Sequence, residues 1–207
     1  MIKAVIFDVG GVLLRTEDYQ YRRRWDEVLA LQPGESEEIV FNSDMGQAAQ
    51  RGEISDEALW QWVGDTLALG GRLEAFRADF WAGDALDKDL VNMIRSLRPT
   101  YQTAIISNAT DGLRVSLAEQ HGIADAFDLI VVSAEERVMK PDPAIYRRAL
   151  SLLGRRPEEA LFVDDFAANV AAAQQLGMAA IQFRPGLGLL EEMRQLGVDT
   201  PGLADKA

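Results

Sequence analysis

The sequence predicts an α/β fold in which helices flank a parallel sheet, and three observations support that prediction. Short runs of branched apolar residues recur along the chain without clean alternation, which is typical of strands buried on both faces. Helical patterns lie between the later runs, as in a chain of βαβ units. The interval between the first two runs is far longer than the later intervals, which indicates an inserted unit.

The predicted strands are five apolar runs, at residues 3–8, 103–107, 129–133, 160–164 and 179–183. Helical periodicity follows three of them, at residues 111–121, 143–153 and 167–176. This alternation favours parallel strands joined by right-handed crossovers.

The long interval after the first strand has a helical pattern throughout. Its apolar residues fall at helical spacing, as in Leu59, Trp62, Val63 and Leu67. Ser55, followed by two acidic residues, is typical of a helix start. We predict that residues 15–84 form a helical domain inserted into a core of residues 1–14 and 85–207.

Composition excludes several classes of function. The 207-residue chain has no cysteine and one histidine, so a thiolate nucleophile, cysteine-ligated zinc and a multi-histidine metal site are excluded. A net charge of −12 disfavours nucleic acid and anionic membranes as partners. No secretory signal or membrane span is evident, so a cytoplasmic location is expected, while the oligomeric state stays open. The basic run Arg22, Arg23 and Arg24 is expected to form a solvated helix face.

Polar residues follow the predicted strands, and ligands of open parallel sheets collect at that edge. The residues are Asp8, Ser107, Asn108, Asp164 and Asp165, with Lys140 shortly before a predicted helix. Carboxylates placed close together require compensating positive charge. A hard divalent cation with oxygen ligands provides it, and Mg²⁺ is the expected ion.

Four segments in order, IFDVGGVLL, IISNAT, VMKPDPAIY and FVDDFAAN, resemble the four motifs of the haloacid dehalogenase superfamily. The resemblance covers residues 1–14 and 85–184. It implies a Rossmann-like core and a helical C1 cap at residues 15–84, similar to the sugar-phosphate phosphatase branches and the epoxide-hydrolase N-terminal domain.

The resemblance implies a Mg²⁺-dependent phosphatase acting on a small phosphorylated molecule. Asp8 would attack phosphorus and form an aspartyl phosphate, which divides one displacement into two. Asp8, Asp165 and the carbonyl of Gly10 would bind Mg²⁺, with Asp164 assisting.

The remaining motif residues would contact the phosphoryl group or orient the others. Ser107, Asn108 and Gly11 would bind phosphate, and Lys140 would offset its charge. Asn169, like Asn108, would orient neighbouring groups. The bond before Pro141 is expected to be cis.

Gly10 departs from the pattern, because most phosphatases of the superfamily have a proton-donating Asp two residues after the nucleophile. Three explanations follow: a substrate with an acidic leaving group, a proton from a cap carboxylate or bound water, or a weak enzyme. General acid help is typically worth about 10²–10⁴ in rate.

Two alternatives remain. One is a 2-haloacid dehalogenase, in which Asp8 would attack carbon without a metal. The Asp164–Asp165 pair disfavours it, since packing uncompensated carboxylates beside the nucleophile is costly. The other is a binding or regulatory protein with a degenerate catalytic site, an alternative that only Gly10 supports.

Overall fold

The main sheet has the predicted parallel architecture. The structure is a computed structural model that describes residues 1–199. Its strands are β1 (Ala4–Phe7), β2 (Leu14–Thr16), β3 (Asp84–Leu86), β4 (Gln102–Ser107), β5 (Leu129–Val132), β6 (Ala160–Asp164) and β7 (Ala179–Gln182). Within residues 1–199, five of these strands form a parallel sheet in the order β5-β4-β1-β6-β7. All five predicted strands are therefore confirmed, and β1 is central.

Apolar side chains fill both faces of this sheet. Along β1, Val5 and Phe7 join one hydrophobic cluster, whereas Ala4 and Ile6 join the other. Alternate side chains of a strand point to opposite faces, so an unbroken apolar run is buried on both sides.

Helices connect these strands and form most of the insert. They are α1 (Gln20–Val28), α2 (Glu35–Glu37), α3 (Asp44–Gln50), α4 (Asp56–Thr66), α5 (Leu73–Ala82), α6 (Lys88–Leu97), α7 (Leu113–Val115), α8 (Ser133–Glu136), α9 (Pro143–Leu153), α10 (Ala167–Gln175) and α11 (Leu189–Gln195). Two π-helical turns, Glu38–Asn42 and Ser116–Gln120, extend α2 and α7, and 3₁₀ turns cover Gly70–Arg72, Ala124–Ala126 and Pro157–Glu159. None of the helices within residues 1–199 is long and apolar enough to cross a membrane.

Helix caps explain where the main helices begin and end. The Ser55 hydroxyl accepts a hydrogen bond from the Ala58 amide at 3.2 Å, so α4 begins where the sequence predicted. Asp142 caps α9 in the same way, with Pro143 at the first helical position. Gly154 ends α9 in the left-handed conformation.

The boundaries of the insert contain two strands that the helical pattern did not predict. β2 and β3 pair antiparallel, with Arg15 opposite Ala85. Each strand is three residues long, too short for a periodic signal. The pair brings together the two chain segments that enter and leave the insert.

The insert has a hydrophobic cluster of its own, separate from the two clusters of the sheet. Its members lie between Trp25 and Phe80 and include Trp60, Val63 and Phe76. The last residues of the predicted core, 200–207, lie outside the described residues.

The expectation that Arg22 is solvated was wrong, whereas Arg23 and Arg24 are exposed as predicted. The Arg22 side chain is 7 % exposed and pairs with Glu37 and Asp84. A run of like charges gives no signal of which member faces inward, and here the α1 periodicity turns Arg22 toward the insert cluster.

Candidate active site

Lys140 links two of the predicted carboxylates. Its Nζ lies 2.8 Å from Asp8 Oδ2 and 2.7 Å from Asp164 Oδ2, and it donates to the Ile106 carbonyl oxygen at 2.9 Å. The Lys140 side chain is fully buried, and the bond to Pro141 is cis, as predicted. Three hydrogen bonds therefore use all three protons of the ammonium group.

Sheet order explains why these groups meet. Asp8 follows β1, Asp164 ends the neighbouring β6, and Ser107 ends β4 on the other side of β1. Parallel strands end at the same edge, so residues far apart in sequence meet there.

The Asp164 carboxylate accepts three hydrogen bonds besides its contact with Lys140. Asn169 Nδ2 donates to both of its carboxylate oxygens, at 3.0 and 3.1 Å, and the Phe166 amide donates to Oδ1 at 2.8 Å. The Tyr146 hydroxyl donates to the Asn169 carbonyl oxygen at 3.0 Å. Sequence reasoning missed Tyr146, although it lies inside the third motif segment, VMKPDPAIY.

Asn108 contacts the main chain of Lys140 with both ends of its amide. Its Nδ2 donates to the Lys140 carbonyl oxygen at 2.8 Å, and its Oδ1 accepts from the Lys140 amide at 2.7 Å. The Asn108 side chain is therefore engaged with Lys140. Ser107 is buried at the end of β4. Phosphate binding by Ser107 and Asn108 stays a prediction.

Burial disfavours the ionised form of two of these carboxylates, Asp8 and Asp165. It raises the pKa of Asp8 to about 6, with the Lys140 ammonium opposing the shift and the Asp164 carboxylate adding to it. Burial, together with the charge of Asp164, also raises the pKa of Asp165. The Asp8 carboxylate also accepts a hydrogen bond from the Val9 amide at 2.7 Å, which lowers the pKa of Asp8 less than the other contacts change it.

The three carboxylates fit a divalent cation. Asp8, Asp164 and Asp165 each offer an oxygen atom, and these atoms lie within 4.8 Å of one another. Lys140 supplies one positive charge against three negative ones. An all-oxygen donor set with excess negative charge is what Mg²⁺ prefers in proteins.

Two consecutive glycines in the first motif have different structural roles. Gly11 has φ +72°, and a Cβ there would overlap the Asp165 carboxylate, so Gly11 lets the two loops approach. Gly10 is exposed, and a Cβ there would meet no atom of residues 1–199 within 4 Å apart from its chain neighbours. The turn therefore does not require glycine at position 10.

Known proteins align with this sequence along most of its length. A sequence model of the haloacid dehalogenase-like hydrolases matches residues 2–177. A sesquiterpene phosphatase of Aspergillus oryzae is 28 % identical over 197 residues, which cover 94 % of this chain and 96 % of that protein. An (S)-2-haloacid dehalogenase of Xanthobacter autotrophicus is 29 % identical over 196 residues, covering 86 % and 74 %.

A similar fold occurs in a crystal structure from Bacteroides thetaiotaomicron, a haloacid dehalogenase family enzyme in complex with magnesium and inorganic phosphate. It aligns with a TM-score of 0.77 and 20 % sequence identity, covering 90 % of this chain and 96 % of that one. The match of the family model across most of the chain identifies this protein as a hydrolase of the haloacid dehalogenase-like family.

Proposed function

We propose that the protein is a Mg²⁺-dependent phosphatase that acts on a small phosphorylated molecule through an aspartyl phosphate on Asp8. The observation that carries the proposal is the cluster of Asp8, Asp164 and Asp165 around the single buried ammonium of Lys140. A phosphoryl group adds further negative charge, so such a site needs a cation to bind it.

Asp8, Asp165 and the main-chain carbonyl of Gly10 would hold the ion, with Asp164 close by. When bound, Mg²⁺ would neutralise charge on the carboxylates and the phosphoryl oxygens. Its binding would also favour ionised Asp8, whose pKa is otherwise raised to about 6.

In the first step an Asp8 carboxylate oxygen forms a bond to phosphorus while the bond from phosphorus to the leaving oxygen breaks. The Lys140 ammonium lies 2.8 Å from Asp8, where it can offset charge on the transferring group. Ser107, at the end of the adjacent β4, is the proposed hydroxyl donor to a phosphoryl oxygen.

In the second step water attacks the phosphorus of the aspartyl phosphate. The bond between phosphorus and Asp8 breaks, inorganic phosphate leaves, and the carboxylate is restored. One difficult displacement is thereby replaced by two easier ones, and Asp8 is regenerated at the end of each turnover.

We propose that residues 15–84 act as a cap over this site, on a core of residues 1–14 and 85–207. The insert contacts the segments that follow β4 and β5: Thr110 donates to Asp56 at 2.8 Å, and Ser133 to the Gln50 carbonyl at 2.6 Å. Both segments begin at the edge of the sheet that carries the carboxylates.

The exposed side chain of Phe166 favours an apolar group on the substrate. Its side chain is 67 % exposed although it directly follows Asp165, and large exposed aromatic side chains beside a site commonly contact ligand. The similarity to a sesquiterpene phosphatase over nearly the full length of both chains points the same way.

Dehalogenation is the second candidate, because a 2-haloacid dehalogenase is among the similar proteins. In that reaction Asp8 would attack carbon and displace halide without a metal. The cluster of three carboxylates disfavours it, since without a cation Lys140 alone would have to compensate three negative charges.

The deciding experiment is a substrate screen run in two parallel conditions, one with Mg²⁺ and one with EDTA in place of Mg²⁺. Substrates are sugar phosphates, nucleotides, acyl phosphates, a sesquiterpene phosphate, p-nitrophenyl phosphate and 2-chloropropionate. Phosphate release that needs Mg²⁺ supports the proposal. Halide release that persists in EDTA would establish the dehalogenase instead. Binding of a phosphorylated metabolite without turnover would favour a binding protein.

A further inference from the structure

A chain of hydrogen bonds connects the helical insert to the catalytic lysine. It begins at Gln50, the last residue of α3, whose carbonyl oxygen accepts from the Ser133 hydroxyl at 2.6 Å. The same hydroxyl oxygen accepts from the Ala109 amide at 3.0 Å. Asn108, the next residue toward Ser107, bonds to the main chain of Lys140 at 2.8 and 2.7 Å.

Ser133 is well placed to transmit a change in the insert. Its side chain is fully buried where β5 meets α8, and its Oγ also lies 3.2 Å from the Ala109 carbonyl oxygen. If the insert moved and the Gln50 carbonyl left this position, the buried Ser133 hydroxyl would need another acceptor. The Ala109 carbonyl oxygen is close enough to accept, so the hydrogen bonding of Ala109 would change.

A second close contact joins the insert to the segment that contains Ser133. Gly52 has φ +69°, and a Cβ there would overlap the carbonyl oxygen of Ala134, next to Ser133. Asp56 adds a third contact, since its amide donates to Asp111 Oδ1 at 2.9 Å and its carboxylate accepts from Thr110. The segment from Ala109 to Asp111 is therefore held between the insert and the sheet.

We propose that Ser133 is a positioning residue, which couples docking of the insert through Ala109 and Asn108 to the placement of Lys140. The proposal rests on the phosphatase function only for its kinetic consequence. When the insert is docked, the Asn108 amide fixes the Lys140 main chain, and the ammonium stays between Asp8 and Asp164. When the insert separates, this support weakens.

Two substitutions break the chain at different points. Ser133→Ala removes the shared hydroxyl, and Gly52→Ala forces the insert away from Ala134. With p-nitrophenyl phosphate and Mg²⁺, each should lower kcat on the order of tenfold and leave KM nearly unchanged, since charge stabilisation by Lys140 is greatest in the transition state. The double variant should be no slower than the slower single variant, because both remove the same coupling.

Matched controls separate coupling from loss of stability. Ser96→Ala removes a hydroxyl that bonds within α6, to the Met93 carbonyl at 2.6 Å. Gly70→Ala places a side chain at φ +53° in the insert, where the added Cβ meets no atom of residues 1–199 within 4 Å apart from its local backbone. Neither control should change kcat by more than about twofold.

Amide hydrogen exchange provides a readout that does not depend on activity. Exchange at the Lys140 amide, which bonds to Asn108 and not to Ser133, should accelerate in both Ser133→Ala and Gly52→Ala. Faster exchange with no phosphatase activity in the wild type would refute the proposed function and keep the coupling. Unchanged Lys140 exchange in both variants overturns the coupling, whatever the activity.

Discussion

Two buried cations in this molecule make closely similar contacts. Lys140 pairs with Asp8 and Asp164 and donates to one main-chain carbonyl oxygen. Arg22, in the insert, also pairs with two carboxylates and donates to one carbonyl oxygen, that of Phe80, at 2.8 Å. A list of partners alone would not distinguish the proposed catalytic cation from the structural one.

The surroundings of the two cations differ. The Asp164 carboxylate beside Lys140 is fully buried, and Asp165 adds a third negative charge nearby. The partners of Arg22, Glu37 and Asp84, are 32 % and 17 % exposed, so water shares their charge.

Aromatic rings complete the surroundings of Arg22. Its guanidinium lies 4.5 Å from the ring centre of Phe80 and 5.9 Å from those of Phe41 and Trp81. Lys140 also lies near one ring, with its Nζ 5.5 Å from the ring centre of Phe162, so a ring contact alone does not separate the two cations. Excess buried negative charge is the feature that distinguishes the proposed functional cluster.

The largest expected effect is on turnover, from Asp8→Asn. Asparagine has nearly the same shape and keeps an oxygen to accept the Val9 amide, but it is a very poor nucleophile. We expect kcat to fall by a factor on the order of 10⁴ or more. Steady-state phosphate release measures it, and a circular dichroism spectrum like that of the wild type shows that the fold is kept. Retained turnover would remove Asp8 from the mechanism.

Arg22→Met should affect stability instead. It leaves Glu37 and Asp84 without their shared cation, and we expect a loss of about 3 kcal/mol, with Tm lower by roughly 6–12 °C. Thermal unfolding measures the shift, and kcat of the folded variant should stay close to wild type.

Lys140→Met is the matched comparison for Arg22→Met. It removes the cation next to Asp8, so kcat should fall by at least about 10³. If Arg22→Met stopped turnover without lowering Tm, the distinction between the two clusters would be wrong.

The contrast between these cations also shows what the sequence could predict. Asp8, Asp164 and Lys140 each lie next to an apolar strand or a helix start, and parallel sheet geometry brings such positions together. The strands, their burial on both faces and the meeting of these groups were therefore predictable. The inward orientation of Arg22 was not, because a run of three arginines does not show which of them faces inward, and that face is set by the packing of α1 against α5.

Gly11 marks another limit. The need for glycine there comes from the Asp165 carboxylate, more than 150 positions away along the chain, and from a left-handed φ. The same holds for the β2–β3 pair, whose strands are defined by each other rather than by periodicity. Sequence patterns identify local elements, whereas close approach between distant loops is a property of the folded chain.

Removal of Asp165 tests the metal assignment within the carboxylate cluster around Lys140. Asp165→Ala deletes a principal anionic ligand, so Mg²⁺ affinity should fall on the order of 100-fold, about 3 kcal/mol. Isothermal titration measures it. Asp65→Ala, which removes an exposed carboxylate of α4, is the control and should bind Mg²⁺ as the wild type does. Undiminished binding by Asp165→Ala would mean that the ligand assignment is wrong.

The pH dependence of Mg²⁺ binding provides a smaller test. The pKa of Asp8 is raised to about 6, so below pH 6 the carboxyl group is mostly protonated and a proton competes with the ion. Mg²⁺ affinity should therefore increase by about tenfold between pH 5 and pH 7, as the group ionises. Titration at these two pH values checks the sign. An affinity independent of pH would show that Asp8 is not a ligand.

The smallest expected effect concerns Gly10, which we propose leaves the site without the usual proton donor. Charge accumulates on the departing oxygen in the loose transition state of phosphoryl transfer, so protonation matters most for basic leaving groups. The wild type should therefore cleave aryl phosphates readily and alkyl phosphates poorly.

Gly10→Asp should raise the rate for alkyl phosphates by about tenfold and leave aryl phosphates nearly unchanged, because a carboxylic acid can protonate the alkoxide. The backbone accepts a side chain at this position, since a Cβ at position 10 meets no atom of residues 1–199 within 4 Å apart from its chain neighbours. Gly11→Asp is the contrasting variant, whose side chain would overlap Asp165 and disrupt the site. Equal wild-type rates for alkyl and aryl esters would contradict the missing-acid explanation and point to a proton donor elsewhere, with the insert as the first place to search.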